Sequence, residues 1–325
     1  MLAGASACDG GRSKRGRHAV RLAALHGISP GRPIYSVGLK LRRSVTVRLL
    51  RYGPPGAERP GLLDGQGRLR CLAGFLSDLD GAALAPDSLE RLRRIDPRSL
   101  PRVEGRPRLG VPVAGVGNIL AIGVNYRSHA GFVPLPAEPI IFSKHTGALS
   151  GPDDPILMPP GAEKVDWEVE LAVVIGRPAR RVAVERAMEH IAGYMVANDV
   201  SERDFQSDRR CGQIIKGKSW ESFCPLGPWL VTTDEISDSG GLHLWLEVNG
   251  ERMQESSTAD MLFPVPQLVS YVSHFMVLKP GDVILTGTPP GIGMATGRYL
   301  KAGDVVRLGV DGLGEQCQRV VASAD

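Results

Sequence analysis

The stretch Val165 to Ile175, VDWEVELAVVI, places two carboxylates inside an otherwise apolar run. Side chains alternate across a strand, so Glu168 and Glu170 project from one face while Trp167, Val169, Leu171 and Val173 pack on the other. Two like charges in one small space raise each other's pKa unless a cation lies between them. Asp199, after the short apolar run Ile191 to Ala197, brings a third acid to a strand-like end. Three hard oxygen donors with no thiolate nearby describe a Mg²⁺ or Mn²⁺ site better than a Zn²⁺ site. The spacing alone also admits a plainer arrangement, with one glutamate on a wet strand face or paired to an arginine.

Three further groups carry chemistry. His129 closes the polar cluster Asn125-Tyr126-Arg127-Ser128-His129, delivered just past the apolar run Ile119 to Val124. A lone histidine is more often structural, but beside a metal it can serve as a general base near neutral pH. Lys144 follows the apolar run Ile140 to Phe142, and Lys218 stands in Gly217-Lys218-Ser219-Trp220. A lysine on a solvated face is the common case; at a site it would stabilise an oxyanion or bind a carboxylate. Thr286 to Gly293, TGTPPGIG, matches neither dinucleotide nor P-loop spacing, and its prolines bar an immediate helix. It reads as a tight loop offering backbone N–H groups and the Thr288 hydroxyl to an anion. No G-x-S-x-G elbow is present.

These groups need a scaffold. Residues 1–38 lack sustained periodicity and read as a disordered extension or a misassigned start. Residues 39–112 read as a small α/β domain: a strand at Ser44 to Tyr52, a short one at Arg68 to Leu72, a helix over Leu84 to Ile95, and a proline-rich joint from Pro101. Residues 113–325 form the body. Val184 to Ala192 has helical spacing, and so has Val265 to Phe275. Strands are expected at Trp229 to Thr232, Leu242 to Val248 before the turn Asn249-Gly250, Val283 to Leu285 and Val305 to Val310.

Composition narrows the class. Hydrophobic residues at 42% and charged residues at 23% of 325 are those of a globular protein, and 40 glycines with 25 prolines favour short strands and turns. No apolar run approaches a membrane span. Residues 1–57 hold eleven Lys or Arg against one acid, Asp9, so the remainder carries −6 of a net +4. An acidic body argues against nucleic-acid binding. The five cysteines, at 8, 71, 211, 224 and 317, are odd in number and lack C-x-x-C spacing, as expected of free thiols in a reducing cytoplasm.

Seven phrases together resemble the fumarylacetoacetate hydrolase family: IGVNYRSHA, PIIFSKHTGAL, DWEVELAVVIGR, GYMVANDVSERDFQ, GKSWESFCPLGPWLVT, VNGERMQ and LKPGDVILTGTPPGIG. They follow the family's order over most of residues 115–322. The resemblance implies an α+β, mostly β fold, with a mixed β-roll or barrel behind a small N-terminal domain, assembled as a homodimer. It implies one Mg²⁺ or Mn²⁺ per chain on Glu168, Glu170 and Asp199, His129 as the base, and Lys218 assisting charge development. Lys144, Arg203, Gln206 and Thr288 would line the substrate pocket.

The implied reaction is C–C hydrolysis of a 2,4-diketo acid of the acylpyruvate type to pyruvate and a carboxylic acid. The same site would serve 2-oxo acid decarboxylation or keto-enol isomerisation of the 2-hydroxyhepta-2,4-diene-1,7-dioate type. A non-catalytic oxo-acid-binding protein is the alternative of another class. Two departures bear on the choice. Many relatives have a glutamate three residues after the histidine, where this chain has Phe132, with Glu138 as a substitute. Ile214-Ile215 stand where close relatives often have a tryptophan and an acid.

Overall fold

The computed structural model describes residues 48–208, 213–236 and 238–322. The extension 1–38, the beginning of the first expected strand and residues 209–212 lie outside the described residues.

Val169–Ile175 and Ile191–Asn198 are apolar on both faces, and every residue of both strands is buried. Such runs belong at the centre of a sheet covered on two sides. They pair antiparallel, with Glu170 opposite Ala197 and Val169 opposite Asn198. Around them an eleven-stranded mixed sheet runs in the order Leu69–Cys71, Arg59–Leu63, Arg48–Tyr52, Cys224–Thr232, Ile191–Asn198, Val169–Ile175, Val283–Leu285, Ile119–Gly123, Ile140–Lys144, with two short strands off this path. Val283–Leu285 and Ile119–Gly123 run parallel. Leu171, Val173 and Leu285 sit in the core at 1% exposure or less, each burial contributing about 1.5–3 kcal/mol.

A five-stranded sheet, ordered Glu251–Ser257, His243–Val248, Val305–Val310, Gly314–Ala322, Ile156–Met158, packs beside it. His243–Val248 has one wet face: Leu244, Leu246 and Val248 are buried and their neighbours are not. Asn249 (φ 53°) and Gly250 (φ 82°) make the hairpin turn that an Asn-Gly pair favours. The fold is mostly β, at 35% strand against 19% helix. The helix Val265–Phe275 opens after Pro264 and buries Val265, Leu268, Val269 and Val272. Among the described residues no helix is long and apolar enough to cross a membrane.

Several expectations change. Val165 to Ile175 is not one continuous strand: Val165–Asp166 pairs with Ser201–Glu202, and the chain breaks at Trp167 and Glu168 before Val169–Ile175 begins. The break belongs to the site, since Asn198 and Gln254 side chains accept from the N–H groups of Glu168 and Val169 in place of a ladder partner. Val184 to His190 is a 3₁₀ segment that buries only Ala187, and the strand already begins at Ile191. Helical spacing in its three apolar residues overstated a segment with little to bury. The helix in the leading segment is shorter than expected, Pro86–Arg93. Lys218 ends a short helix, Ile214–Lys218.

Candidate active site

Antiparallel pairing of the two central strands puts the start of one beside the end of the other. Asp199 N–H donates to the Glu168 carbonyl at 2.9 Å, so these two acids leave the sheet together while Glu170 stands one step inside it. Glu168, Glu170 and Asp199 each offer a carboxylate oxygen within 4.8 Å of the others, at 7%, 1% and 0% exposure. The wet-face arrangement of a glutamate is therefore not the one adopted. Pairing to arginine is: Arg203 lies 2.7 Å from Glu168 Oε1 and 2.8 Å from Asp166 Oδ2.

Cations surround the trio. Lys218 Nζ donates to Glu168 Oε2 and Asp199 Oδ2, both at 2.8 Å. Gly217 lets this lysine in, because a Cβ there would lie 2.6 Å from Gln206 N. Lys144, at the end of Ile140–Lys144, pairs with Asp199 Oδ1 and donates to the Val200 carbonyl at 3.1 Å. Burial opposes the charge on Asp199, but the Lys144 and Lys218 ammonium groups outweigh it and hold the carboxyl below its usual range. Burial likewise opposes the charge on Lys218, and Asp199 and Glu168 outweigh it, raising the ammonium's pKa.

Glu170 is the exception. Burial, then the charges of Asp199 and Glu168, push its carboxyl well up; Lys218 and the Gly287 N–H offset this only in part. Glu170 thus needs one more cation beside it to ionise. Three buried oxygen donors, no thiolate, and one acid lacking a partner cation fit a hard divalent ion.

The surroundings fix these ligand groups. Asp166 accepts from the N–H groups of Gly293 (2.6 Å) and Met294 (2.8 Å) and from Arg203 Nε (2.8 Å). Gln206 Oε1 accepts from Arg203 Nη1 at 2.8 Å. Asn198 Oδ1 accepts from Glu168 N–H at 3.1 Å, and Asn198 Nδ2 donates to Gln318, whose amide donates to Gln316, which donates to the Val196 carbonyl. The TGTPPGIG loop offers its N–H groups to anions, but these are the protein's own: Gly287 serves Glu170 and Gly293 serves Asp166. Thr288 Oγ1 donates to the Val169 carbonyl and accepts from Gln254, so its hydroxyl is engaged in the wall.

His129 lies on the 3₁₀ turn Arg127–His129, half-buried. Burial lowers its pKa, against the raising effects of Glu168, the Tyr126 carbonyl and Asp260. Its Nδ1 is buried and has no hydrogen-bond partner. Phe132 is 73% exposed, and Glu138 takes the phenol of Tyr271 instead of facing the histidine. Cys224 is fully buried, and burial pushes its thiol up to about 12, as for an inert core cysteine.

Sequence reasoning missed Asp166, Tyr126, Asp260, Asn198, Gln254, Gln316 and Gln318. One signal was present: Gln316 and Gln318 share parity with Val320, which puts two amides on a buried strand face. Tyr126 is fully buried with an unpartnered hydroxyl; burial and the charges of Glu170 and Asp260 push its phenol up.

A family model for the fumarylacetoacetate (FAA) hydrolase C-terminal region matches residues 118–321, and the chain belongs to the fumarylacetoacetate hydrolase family. A Burkholderia multivorans protein whose name places it provisionally among hydrolases is 53% identical over 277 residues, covering 84% of this chain and 98% of the relative. Maleylpyruvate hydrolase from Sphingobium sp. SYK-6, solved with manganese(II) and pyruvate, superposes with a TM-score of 0.72 at 29% identity, covering 85% of this chain and all of that one. 2-Hydroxyhepta-2,4-diene-1,7-dioate isomerase from Mycobacterium marinum superposes with a TM-score of 0.67 at 32% identity, covering 86% and 100%.

Proposed function

We propose that the protein is a divalent-cation-dependent hydrolase that cleaves a C–C bond in a small 2,4-diketo acid of the acylpyruvate type. The carrying observation is the buried trio Glu168, Glu170 and Asp199, bordered by Lys144, Lys218 and Arg203. With Asp166, four carboxyl groups face three cations, so ionising all four, Glu170 included, leaves one negative charge in excess. A divalent ion reverses that sign and suits the pocket to an anionic oxo acid. Relatives named as acting on compounds of this kind, one of them solved with manganese and pyruvate, support the same class.

Held by the three acids, Mg²⁺ or Mn²⁺ supplies Lewis acidity toward a 2-oxo carboxylate. His129 takes a proton from water as its oxygen adds to the C4 carbonyl. The C3–C4 bond then breaks, the C4 fragment leaves as a carboxylic acid, and protonation at C3 completes pyruvate. Lys218, kept charged by its two carboxylates, stabilises negative charge on the departing three-carbon fragment. Arg203, Gln206 and Lys144 are assigned to the substrate's carboxylate end, and Thr288 to the pocket wall.

One observation favours a second reading, keto-enol isomerisation: His129 Nδ1 has no carboxylate partner, and moving a proton asks less of a base than activating water. Acetylpyruvate turnover with Mn²⁺ and with chelator separates the readings. Metal-dependent loss of the diketo absorbance with release of pyruvate and acetate supports hydrolysis. Binding without pyruvate release would overturn it and move the test to oxaloacetate decarboxylation, to tautomerisation, and finally to a role in binding alone.

A further inference from the structure

The acid expected three residues after His129 is absent, yet a carboxylate does face the His129 turn. It comes from the 3₁₀ segment Thr258–Asp260, 131 residues away in the chain. Asp260 Oδ2 accepts from the N–H of Ser128, the residue before His129, at 2.9 Å. Around this bond the segments interlock. Arg127 Nη1 donates to the Ala259 carbonyl at 3.2 Å, Tyr126 bridges to Met261, and Leu262 N–H donates to the Asn125 carbonyl at 2.9 Å. The Asn125 side chain accepts from Phe263 N–H at 2.9 Å and donates to the carbonyls of Phe263 and Thr286. The turn is thus docked along residues 258–263, with Asn125 also tied to Thr286, and Asp260 is the sole charged group in residues 258–263.

We infer that Asp260 is a positioning residue for His129: it locks the Arg127–His129 turn through Ser128 and presents the negative charge that Phe132 does not supply. Three charged groups bear on the arrangement. The charges of Glu168 at the strand end and of Asp260 in the docking segment both raise the imidazole's pKa, and Arg127 on its own turn is directed to Ala259. Phe132 points to solvent, so no residue of the following loop needs to replace the missing acid. The inference rests on His129 being the base of the proposed reaction and adds the group through which that base is held.

Asp260→Asn and Asp260→Ala separate the two contributions, because asparagine keeps an acceptor for Ser128 N–H and loses the charge. Acetylpyruvate turnover with saturating Mn²⁺ is expected to fall about 30-fold or more in kcat for Asp260→Ala with KM within about threefold, and to recover to within about fivefold in Asp260→Asn. In the Mg²⁺-loaded protein, the His129 imidazole, assigned by its loss in His129→Gln, is expected to titrate about 0.3–0.5 pH unit lower in Asp260→Asn than in the wild type. Mn²⁺ affinity by calorimetry is expected to stay unchanged in both. Unchanged kcat in Asp260→Ala, an unmoved His129 titration, or weakened Mn²⁺ binding would each overturn the inference. If Asp260→Ala does not fold, the Asp260→Asn titration decides alone. Full turnover in His129→Gln would instead remove the base reading underneath, an outcome distinct from any failure at Asp260.

Discussion

Glu170 Oε2 accepts a hydrogen bond from Gly287 N–H at 2.6 Å, so the innermost acid of the trio is aimed by the backbone of a loop 117 residues further along the chain. This bond steadies the acid as an anion without adding a charged side chain, and it leaves Glu170 dependent on a cation for the rest. Glu170→Gln removes that charge and little volume. Mn²⁺ affinity by calorimetry is expected to fall at least about 100-fold and turnover with it, while the melting temperature of the metal-free protein holds or rises. Normal affinity in this variant would remove Glu170 from the ligand set.

Gly287 itself has no room for a side chain. Its φ is +96°, and a Cβ would lie 2.7 Å from the Asn125 Cβ. Gly287→Ala is expected to cost about 1–3 kcal/mol in urea unfolding and to weaken Mn²⁺ binding, because the donor to Glu170 must shift. A destabilised protein with unaltered Mn²⁺ affinity would show that the loop's position is not what aims the acid.

Lys218 lies between Glu168 and Asp199 at 2.8 Å from each. Lys218→Met leaves two buried carboxylates without their shared cation. The expected loss is about 3–5 kcal/mol in the metal-free protein, read by chemical denaturation. Saturating Mn²⁺ is expected to restore part of it, whereas turnover stays lost. Recovery of turnover with the metal would reduce Lys218 to a structural counter-ion.

His129 carries a pKa lowered chiefly by burial. A base must be deprotonated to act, so kcat/KM is expected to rise with pH through a limb below the free imidazole value of about 6.5. A pH–rate profile checks this, and a limb at or above that value would contradict it.

Asp64 ties down the turn between Arg59–Leu63 and Leu69–Cys71. Burial works against its charge, but the Arg68 N–H, the Arg70 guanidinium, the Gln66 N–H and the Arg68 side chain outweigh it and hold the carboxyl well below the usual range. A depressed folded-state pKa gives stability that is present above the unfolded value of about 3.9 and is lost as pH falls toward the folded one. Asp64→Asn is therefore expected to be less stable than the wild type at pH 7, with the gap closing below about pH 4 in urea unfolding curves. A gap independent of pH would assign the effect to lost hydrogen bonds alone.

The acids and the two central strands were legible in the sequence because each is local: charged residues at alternate places in an apolar run, and a third acid at the end of another. The edges of the site were not. The break at Trp167 and Glu168 depends on amides from Asn198 and Gln254, which no period within the strand announces. Helical spacing at Val184 to Ala192 named a helix where the fold makes the 3₁₀ connection Val184–His190, since spacing records which residues are apolar and not whether a partner face exists for them. Asp260 reaches the His129 turn only after residues 258–263 zip against 125–128, a register that local pattern does not carry.

The amide relay from Glu168 through Asn198 to Gln318 and Gln316 bears on how the protein is made. Its far end lies on Gly314–Ala322, the final strand described. Because the chain is made from its N-terminus, all three acids precede the strand that carries the far end of this relay, and Glu168 gains that support only once Gly314–Ala322 has been synthesised.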